Sequence, residues 1–424
     1  TDGALSSAVG KTRPGGFTDL IVGDYENVTV FYGGSYGLSN DHKLVLGKHL
    51  ARAVCYADLN GDGMGDLVVA AESSGETGRS GIYFGGKEGL DPDSFVQLPV
   101  QSVSACAVGD FDKSGTPQIA MAIYTDNREK DAELLIFKSS GKKEWKESYR
   151  LPMKYVTSLA AADVNDDGFD DLAVAQQWDG ASKSVDSYLL LGGKSGLKRD
   201  QSLAYPTNEA RGVVIADLKG DGKKDLIFAN FSTGRSFGDI DSYVYYGGPD
   251  FKYSPARMSK IPVVGAMQSV SGDFNADGIS DALLISSGED DSKNQLNSVS
   301  SIFWGSEAGL AADRKTDLPP GARGFGATVA DLNRDGYLDF VLGDLYGKKV
   351  RIYYGSKDGY TEKGLVALES SDPFFVRAVD LNEDGLLDLI SPHCNENKVV
   401  IYWNSPEGFR TDRIKEIYHD GPGY

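Results

Sequence analysis

The stretch Asp58-Leu-Asn-Gly-Asp-Gly-Met-Gly-Asp66, followed directly by Leu-Val-Val-Ala-Ala, decides the fold of this chain. The same string returns at 163–171, 217–225, 273–281, 331–339 and 380–388, and a degenerate copy lies at 110–118. The first aspartates of these copies follow one another at intervals of 49 to 58 residues. A repeat of this length is typical of the four-stranded blades of a β-propeller.

Each intact copy reads Asp-x-Asn-x-Asp-Gly-x-x-Asp, with oxygen-bearing side chains at positions 1, 3, 5 and 9 and a glycine at position 6. Hard oxygen ligands gathered in one tight loop suit Ca²⁺. Short apolar runs flank the loop, such as Ala53–Cys55 and Leu67–Val69, so we predict strand, calcium loop, strand rather than an EF-hand. The predicted ligands of about five Ca²⁺ sites are Asp58, Asn60, Asp62, Asp66, Asp163, Asn165, Asp167, Asp171, Asp273, Asn275, Asp277, Asp281, Asp331, Asn333, Asp335, Asp339, Asp380, Asn382, Asp384 and Asp388.

Two further loops depart from the pattern. The copy at 110–118 has Ser114 at position 5 and Gln118 at position 9, so we expect an empty or weak site there. The copy at 217–225 has Lys219 at position 3, where an ammonium group can neutralise the carboxylates in place of a metal. Its weaker candidate ligands are Asp217, Asp221 and Asp225.

A second signature follows most loops by about twenty residues. It is a pair of aromatic or aliphatic residues and a glycine-rich turn, which marks a strand and a hairpin. It recurs at 83–90, 190–197, 245–250, 303–310, 353–360 and 402–409, and an additional copy at 31–38 precedes the first calcium loop. Residues 15–23 align with 62–70 but have Lys11 where the first aspartate belongs, so the first repeat has lost its metal loop.

These signatures predict an all-β chain, an eight-bladed β-propeller with calcium loops between the first and second strands of its blades. A seven-bladed propeller is the alternative. The even repeat favours a single domain over 1–424. The predicted repeats are 1–50, 51–101, 102–154, 155–207, 208–262, 263–317, 318–366 and 367–424.

Charge and hydropathy narrow the function further. The formal net charge is −19, which argues against nucleic acid as a partner and is explained largely by the predicted metal loops. No apolar run is long enough to span a membrane. The sequence begins at Thr1 without a signal-peptide core, so we interpret the chain as a mature or excised soluble piece.

Three cysteines are too few for a disulfide framework. Cys55 and Cys106 lie three and four residues before the first aspartates of their loops, so their side chains should face opposite sides of the pleat. We expect both cysteines to be small, buried apolar residues. Acidic calcium loops fit a secreted or extracellular protein, with the periplasm or cell surface as alternatives. Glycosylation sequons begin at Asn27 and Asn230.

The acidic loop paired with the aromatic-Gly-Gly turn resembles the FG-GAP/VCBS repeats of integrin α-subunit heads and many secreted proteins. The resemblance covers nearly the whole chain and implies a Ca²⁺-loaded propeller. Members of the family act in adhesion, carbohydrate binding or polysaccharide cleavage. Integrin heads and related fungal lectins have seven blades, whereas some polysaccharide lyases of similar architecture have eight.

Loops that vary on a rigid repeat usually carry function, so we expect a binding site on the face opposite the calcium loops. A lyase acting on a uronate needs a cation to neutralise the carboxylate and a His or Tyr to move the proton, and the links between blades on that face contain arginines, a histidine and a tyrosine. Weak catalytic candidates are His49, Arg52, Tyr155 and Arg211, with Glu209, Arg323 and Arg377 nearby. The aromatic residues Trp178, Phe325 and Phe374 are candidates for stacking on sugars. The pair His393-Cys394 has no partner motif, which favours a structural position.

The metal loops themselves are best explained as structural clips, because a site repeated around a ring serves stability better than chemistry. We therefore predict a secreted calcium-binding propeller that recognises carbohydrate or an extracellular protein by adhesion or lectin-like binding. The alternative is a polysaccharide lyase, and a third possibility is a structural module of a larger protein.

Overall fold

The structure is a computed structural model. It describes residues 4–418 except 15–16, 25–26, 35–37, 72–78, 124–132, 142, 235–239, 249–250, 252–253, 264, 287–298, 319–323, 325–326, 345–346, 374 and 394–395. The predicted sites at Arg323, Phe325, Phe374 and Cys394 lie outside the described residues.

The described residues form eight four-stranded antiparallel sheets, and in each sheet the strands follow one another in chain order. This arrangement confirms the predicted all-β, eight-bladed β-propeller and excludes the seven-bladed alternative. We number the blades 1 to 8 along the chain. By compactness the chain divides into two units: unit 1 comprises 1–110, 114–153 and 377–424, and unit 2 comprises 111–113 and 154–376.

Unit 1 contains blades 1, 2, 3 and 8. Their strands, in that order of blades, are β1 (Ala4–Gly10), β2 (Asp19–Asp24), β3 (Asn27–Phe31), β4 (Lys43–Lys48); β5 (Ala51–Ala57), β6 (Asp66–Ala71), β7 (Gly81–Tyr83), β8 (Val96–Gln97); β9 (Val103–Gly109), β10 (Gln118–Ile123), β11 (Glu133–Gly141), β12 (Glu144–Pro152); and β29 (Arg377–Val379), β30 (Asp388–Pro392), β31 (Lys398–Tyr402), β32 (Ile414–Tyr418).

Unit 2 contains blades 4 to 7. Their strands are β13 (Val156–Ala162), β14 (Asp171–Gln176), β15 (Ser184–Leu190), β16 (Leu203–Asn208); β17 (Ala210–Ala216), β18 (Asp225–Asn230), β19 (Ser242–Tyr245), β20 (Met258–Ile261); β21 (Ala266–Gly272), β22 (Asp281–Ser286), β23 (Ser301–Phe303), β24 (Lys315–Asp317); and β25 (Ala327–Ala330), β26 (Asp339–Asp344), β27 (Lys349–Tyr353), β28 (Leu365–Glu369). Short 3-10 turns at Asn40–His42, Pro92–Ser94, Arg199–Gln201, Pro255–Arg257 and Glu362–Gly364 lie before the outermost strands of five blades.

The second strand of a blade is apolar on both faces because neighbouring blades cover both of them. In β6 all six residues are buried, and Leu67, Val68 and Val69 are fully enclosed. Leu67 and Val69 pack towards blade 1, whereas Val68 packs towards blade 3. Each such side chain stabilises the fold by roughly 1.5–3 kcal/mol. The continuous apolar runs in the sequence are therefore strands buried between two sheets.

Each unit has its core between successive blades. In unit 1 the clusters join blades 1 and 2, blades 2 and 3, and blades 8 and 1, so the last blade in the sequence packs against the first. In unit 2 they join blades 4 and 5, 5 and 6, and 6 and 7. Among the residues that the structure describes, no helix has the length and hydropathy required to cross a bilayer.

Candidate functional sites

The acidic loops connect the first and second strands of their blades. In blade 2 the Asp58 carboxylate at position 1 accepts hydrogen bonds from the backbone N–H groups of Gly61 and Gly63 at 2.8 and 2.9 Å. The same contact from the position-6 glycine recurs in the other loops at 2.7–3.0 Å, from Gly115, Gly168, Gly222, Gly278, Gly336 and Gly385. The position-1 carboxylate therefore folds the loop around itself.

The glycine at position 6 is required by backbone conformation. Gly278 has φ +88°, in the left-handed region, and a Cβ built there would meet nothing within 4 Å. Space is not the constraint, so the glycine is there because other residues adopt this φ only at a cost.

The aspartate at position 9 has a different environment from those at positions 1 and 5. It is fully buried, and its two oxygens accept hydrogen bonds from two backbone N–H groups, one at position 2 of the loop and one in the turn after the third strand. In blade 2, Asp66 accepts from Leu59 and Gly85, both at 2.8 Å. We call this pair of hydrogen bonds the position-9 bridge. The other position-9 bridges, with hydrogen bonds of 2.7–3.2 Å, are made by Asp19, Asp171, Asp225, Asp281, Asp339 and Asp388.

In blades 2 and 4 to 8, burial raises the pKa of the position-9 carboxyl group, and the two backbone hydrogen bonds oppose the shift. The pKa rises to about 7 for Asp171 and Asp388. It rises to about 6 for Asp66, Asp225, Asp281 and Asp339. The carboxylates at positions 5 and 1 of the same loop add a smaller upward shift, because like charges disfavour ionisation.

The donor set at positions 1, 3 and 5 fits Ca²⁺ in its chemistry, since it consists of exposed or half-buried carboxylate and amide oxygens. In blade 8, Asp380 Oδ1 is buried and has no hydrogen-bond partner, as expected of an oxygen reserved for a cation. Within the described part of the chain, however, no group of three or more Asp, Glu, His or Cys side chains is arranged to hold a metal. Calcium binding stays a prediction for positions 1, 3, 5 and 9. Positions 1, 3 and 5 offer accessible oxygens, whereas both oxygens of the position-9 carboxylate accept backbone hydrogen bonds, as in Asp66.

Lysines occupy the degenerate loops. Lys219 Nζ lies 3.6 Å from Asp221 Oδ2 within the loop of blade 5. Lys113 Nζ donates to the Asp167 carbonyl of the next loop at 2.9 Å. Lys11 forms an ion pair with Glu383 at 3.3 Å. An ammonium group therefore lies at each of the three loops that lack the full acidic pattern.

The prediction that Cys55 and Cys106 are merely small buried residues is wrong, because they form a disulfide between blades 2 and 3 with Cα atoms 6.3 Å apart. They do lie on opposite sides of the pleat. That placement is what brings them together, since one face of blade 2 packs against the opposite face of blade 3. Sequence reasoning compared the two faces within one blade and overlooked the packing between blades.

The opposite end of the blades carries a repeated irregularity. A β-bulge lies at the second residue of the first strand in blades 1 to 6. The bulged residues include Arg52 and Arg211, both of which are catalytic candidates. Bulges re-aim side chains and are common beside functional sites.

In unit 2 the structure brings several candidates together. Glu209 is fully buried and forms ion pairs with Arg211 at 2.5 Å and Lys183 at 2.6 Å. Gln177 donates to the same carboxylate at 3.1 Å. The Arg211 guanidinium lies over the Phe231 ring at 4.8 Å. One buried carboxylate therefore accepts hydrogen bonds from Gln177 and Arg211 through Oε1 and forms an ion pair with Lys183 through Oε2.

An aromatic pair adjoins this network. The Tyr155 and Trp178 rings are 4.7 Å apart and tilted by 42°. Tyr155 is 7% exposed, whereas Trp178 is half-buried. Because Gln177 precedes Trp178 and contacts Glu209, the aromatic pair and the ion pairs form one site. We call it the Trp178 cluster: Tyr155, Gln177, Trp178, Lys183, Glu209, Arg211 and Phe231.

Other candidates lie in unit 1. His49 is 3% exposed, and its ring nitrogens contact the Arg79 carbonyl at 2.7 Å and the Tyr83 hydroxyl at 2.8 Å. Burial lowers the pKa of His49, so its imidazole is held neutral. His393 is fully buried and contacts Glu396 through Nδ1. These contacts are those of structural histidines.

Of the two sequons, the second is inaccessible in the folded chain. Asn230 is fully buried, its amide donates to the Asp241 carbonyl, and its oxygen accepts from Asn208. Asn27 lies in β3 and is half-buried.

Comparison with known families agrees with the blades described above. The FG-GAP-like repeat matches residues 163–228, 273–342 and 331–391. The chain is a β-propeller with FG-GAP-like repeats. Each matched stretch begins at the first aspartate of one loop and ends within the second strand of the following blade. In the FG-GAP-like repeats, the position-9 bridge thus lies inside the matched sequence.

No curated protein matches the chain significantly. Among solved structures, it is similar to a lectin from Agrocybe aegerita that is described as recognising non-reducing terminal N-acetylglucosamine. The two share 12% sequence identity with a TM-score of 0.46, over 87% of this chain and 90% of the lectin.

Proposed function

We propose that this FG-GAP-repeat propeller is a binding protein that recognises carbohydrate through the Trp178 cluster, with an extracellular protein as the alternative partner. The observation that carries the proposal is a half-buried tryptophan supported by a buried tyrosine and placed beside a fixed set of charged donors. Sugars offer an apolar ring face and a rim of hydroxyl groups. An aromatic platform beside polar groups matches both features.

The cluster is organised before any ligand arrives. Glu209 fixes Arg211, Lys183 and Gln177 by direct contacts, so these donors lose little freedom on binding. Tyr155 and Glu209 each precede a first strand and have φ of 43° and 45°. Ser102 and Gly265 have the same left-handed backbone directly before the first strands of blades 3 and 6, so this conformation belongs to the repeat.

The alternative of a polysaccharide lyase has less support. A lyase needs a group that reaches the substrate and takes a proton. His49 is buried with both ring nitrogens engaged, and Tyr155 is buried beneath Trp178. Incubation with uronate polysaccharides distinguishes the two functions, because lyase products are unsaturated and absorb in the ultraviolet.

The proposal includes an extracellular location and structural Ca²⁺. The disulfide between Cys55 and Cys106 supports the location, since such bonds persist in oxidising compartments. The acidic oxygens at positions 1, 3 and 5 support the metal. In the part of the chain that the structure describes, the position-1 and position-5 carboxylates of the five intact loops have no recorded ion pair with a basic side chain.

A glycan array, run with Ca²⁺ and with chelator, tests the proposed function. We expect saturable binding to a restricted set of glycans by the wild-type chain and loss of that binding in Trp178→Ala. Tyr188→Ala is the matched control, because Tyr188 lies in the same blade, is half-buried and stacks with Arg199 outside the cluster. Absence of glycan binding by the wild type, or undiminished binding by Trp178→Ala, contradicts the proposal.

A further inference from the structure

The charged part of the Trp178 cluster contains two cations and one acid. Lys183 Nζ lies 2.6 Å from Glu209 Oε2, and Arg211 Nη2 lies 2.5 Å from Glu209 Oε1. Each oxygen of the carboxylate therefore has a cation of its own. Since one carboxylate balances one positive charge, the three side chains together carry an excess positive charge.

The acid and its two cations differ in exposure. The Glu209 side chain is 1% exposed, whereas 39% of the Lys183 side chain and 29% of the Arg211 side chain are exposed. A molecule that arrives from solvent therefore meets the ammonium and guanidinium groups but not the carboxylate. Among the described residues, Glu209 is the only acceptor recorded for these two cations, and Arg211 Nε has no hydrogen-bond partner. The network thus has more donors than acceptors.

The acid that follows Trp178 in sequence is turned onto its own loop. Asp179 Oδ1 accepts hydrogen bonds from the backbone N–H groups of Ser182 and Ala181 at 2.7 and 2.8 Å. These bonds lower the pKa of Asp179, and the charge of Lys154 adds a smaller shift in the same direction. Lys154 Nζ also donates to the Asp179 carbonyl at 3.3 Å. Asp179 therefore has a counter-ion of its own and does not cancel the excess charge of the network.

The aromatic pair of the cluster lies on the link that precedes blade 4, beside the charged network on the link that precedes blade 5. Tyr155 precedes β13 as Glu209 precedes β17. Thr157 Oγ1 donates to the Ala210 carbonyl at 2.7 Å, and Gln177 Nε2 donates to the Glu209 carboxylate at 3.1 Å. These two hydrogen bonds hold the links side by side, so a ligand on the aromatic pair is next to the cations.

We propose that the sugar recognised at the Trp178 cluster is acidic, with a carboxylate or sulfate group that pairs with Lys183 and Arg211. This inference rests on the proposed function and assigns the class of sugar to the same site. A neutral sugar offers hydroxyl groups that both donate and accept, whereas the accessible charged groups here only donate. An oxyanion on the sugar matches them in charge and in hydrogen bonding. Because the chain has a net charge of −19, diffuse attraction does not account for affinity towards an acidic sugar.

Matched pairs of oligosaccharides test the class by calorimetric titration of the full chain at constant Ca²⁺. Oligosaccharides of galacturonate, mannuronate and glucuronate are each compared with their methyl esters, which keep the ring and remove the charge. A sulfated galactan oligosaccharide is compared with its unsulfated form. We expect at least one acidic member to bind saturably and roughly tenfold more tightly than its neutral partner. A preference within a uronate pair identifies a carboxylate as the recognised group, and one within the galactan pair identifies a sulfate.

Lys183→Met tests whether the excess charge of the cluster causes the preference. We expect its affinity for the acidic member to fall roughly threefold or more, because one exposed ion pair with the ligand is lost. Lys357→Met is the control for the loss of one positive charge, since Lys357 is 79% exposed and lies in the turn after the third strand of blade 7. It should leave the preference unchanged.

The inference and the proposed function fail through different results. Neutral members that bind as tightly as their acidic partners overturn the acidic class, and so does the absence of saturable binding by every acidic member. An unchanged preference in Lys183→Met overturns the assignment to this cluster. In each case the proposed function stands if the array shows glycan binding that Trp178→Ala loses. An array without binding by the wild type contradicts both.

Discussion

The Asp281 carboxylate accepts a hydrogen bond from the backbone N–H of Gly305 at 2.7 Å, which joins the acidic loop of blade 6 to the turn after its third strand. Its other oxygen accepts from Phe274 at 2.8 Å. A Cβ on Gly305 would lie 2.3 Å from the Ser280 carbonyl oxygen, so only glycine allows the turn to come this close. The two sequence signatures of the repeat are therefore the two ends of one bridge.

Blade 3 supports this interpretation because it lacks both ends. Gln118 replaces the position-9 aspartate, and its Nε2 is buried without a partner. The chain after its third strand continues into the β11–β12 hairpin, where no aromatic-Gly-Gly turn occurs. An amide cannot accept two hydrogen bonds through separate oxygens, so the turn glycine has no function there.

The bridge predicts a metal-independent loss of stability in Asp281→Asn. The amide places an N–H group against a buried N–H donor, so we expect the free energy of unfolding to fall by about 2 kcal/mol. Denaturant unfolding with Ca²⁺ and with EDTA measures it. Asp277→Asn, at the exposed position 5, is the control and should change only the Ca²⁺-dependent part. If the loss in Asp281→Asn disappears in EDTA, the carboxylate acts through a metal and the bridge is not its main role.

Lys219→Asn should create an additional metal loop. The substitution converts 217–225 to the full Asp-x-Asn-x-Asp-Gly-x-x-Asp pattern and removes the ammonium group beside Asp221. Elemental analysis after dialysis is expected to find one more Ca²⁺ per chain than in the wild type. Lys223→Asn, at position 7 of the same loop, should leave the count unchanged. An unchanged count in Lys219→Asn would refute the assignment of calcium to these loops.

The disulfide should contribute substantially to stability. Its cysteines are 51 residues apart in sequence, and closing a loop of that size in the unfolded chain is worth about 4 kcal/mol by the chain-entropy estimate. We expect Cys55→Ser/Cys106→Ser to lose about that much in denaturant unfolding. Thiol titration of the denatured wild type should find one reactive cysteine before reduction and three after it. Three before reduction would show that the bond is absent.

His49 should make the fold sensitive to mild acid. Burial lowers the pKa of His49 below 6.5 in the folded chain. Below about pH 6.5 the unfolded chain therefore binds a proton that the folded chain does not, and stability is lost as pH falls towards the folded pKa. His49→Gln removes this loss. The difference in Tm between His49→Gln and the wild type should shift in favour of the variant between about pH 7.5 and pH 5.5.

Carboxyl groups with a raised pKa change stability in the opposite direction over the same range, since their folded state binds the extra proton. They are present in both proteins and cancel in the difference. A difference in Tm that does not vary with pH would mean that His49 is not held neutral by burial.

The sequence predicted the blades because both repeat signatures have local causes. A left-handed loop needs glycine at position 6, and strands buried on two faces must be apolar on both, as in Leu67–Val69. The role of Asp66 could not be predicted from the local sequence, because its partner Gly85 lies nineteen residues away. The pairing of Cys55 with Cys106 depends on packing between blades, which periodicity within one blade does not report.

The candidate site was predicted only in part. Tyr155, Trp178, Glu209 and Arg211 were each singled out from the links and connections that contain them, and the structure brings them together. Lys183, Gln177 and Phe231 were missed, because polar or aromatic residues in a loop carry no signal of their own.

Hydrogen–deuterium exchange of the full chain, with and without the glycan identified on the array, tests the central claim most directly. Binding at the Trp178 cluster predicts slower exchange in residues 154–157, 177–184 and 208–212 at saturating glycan, with the acidic loops unchanged. Protection confined to other blades, or none at saturation, would contradict recognition through the Trp178 cluster.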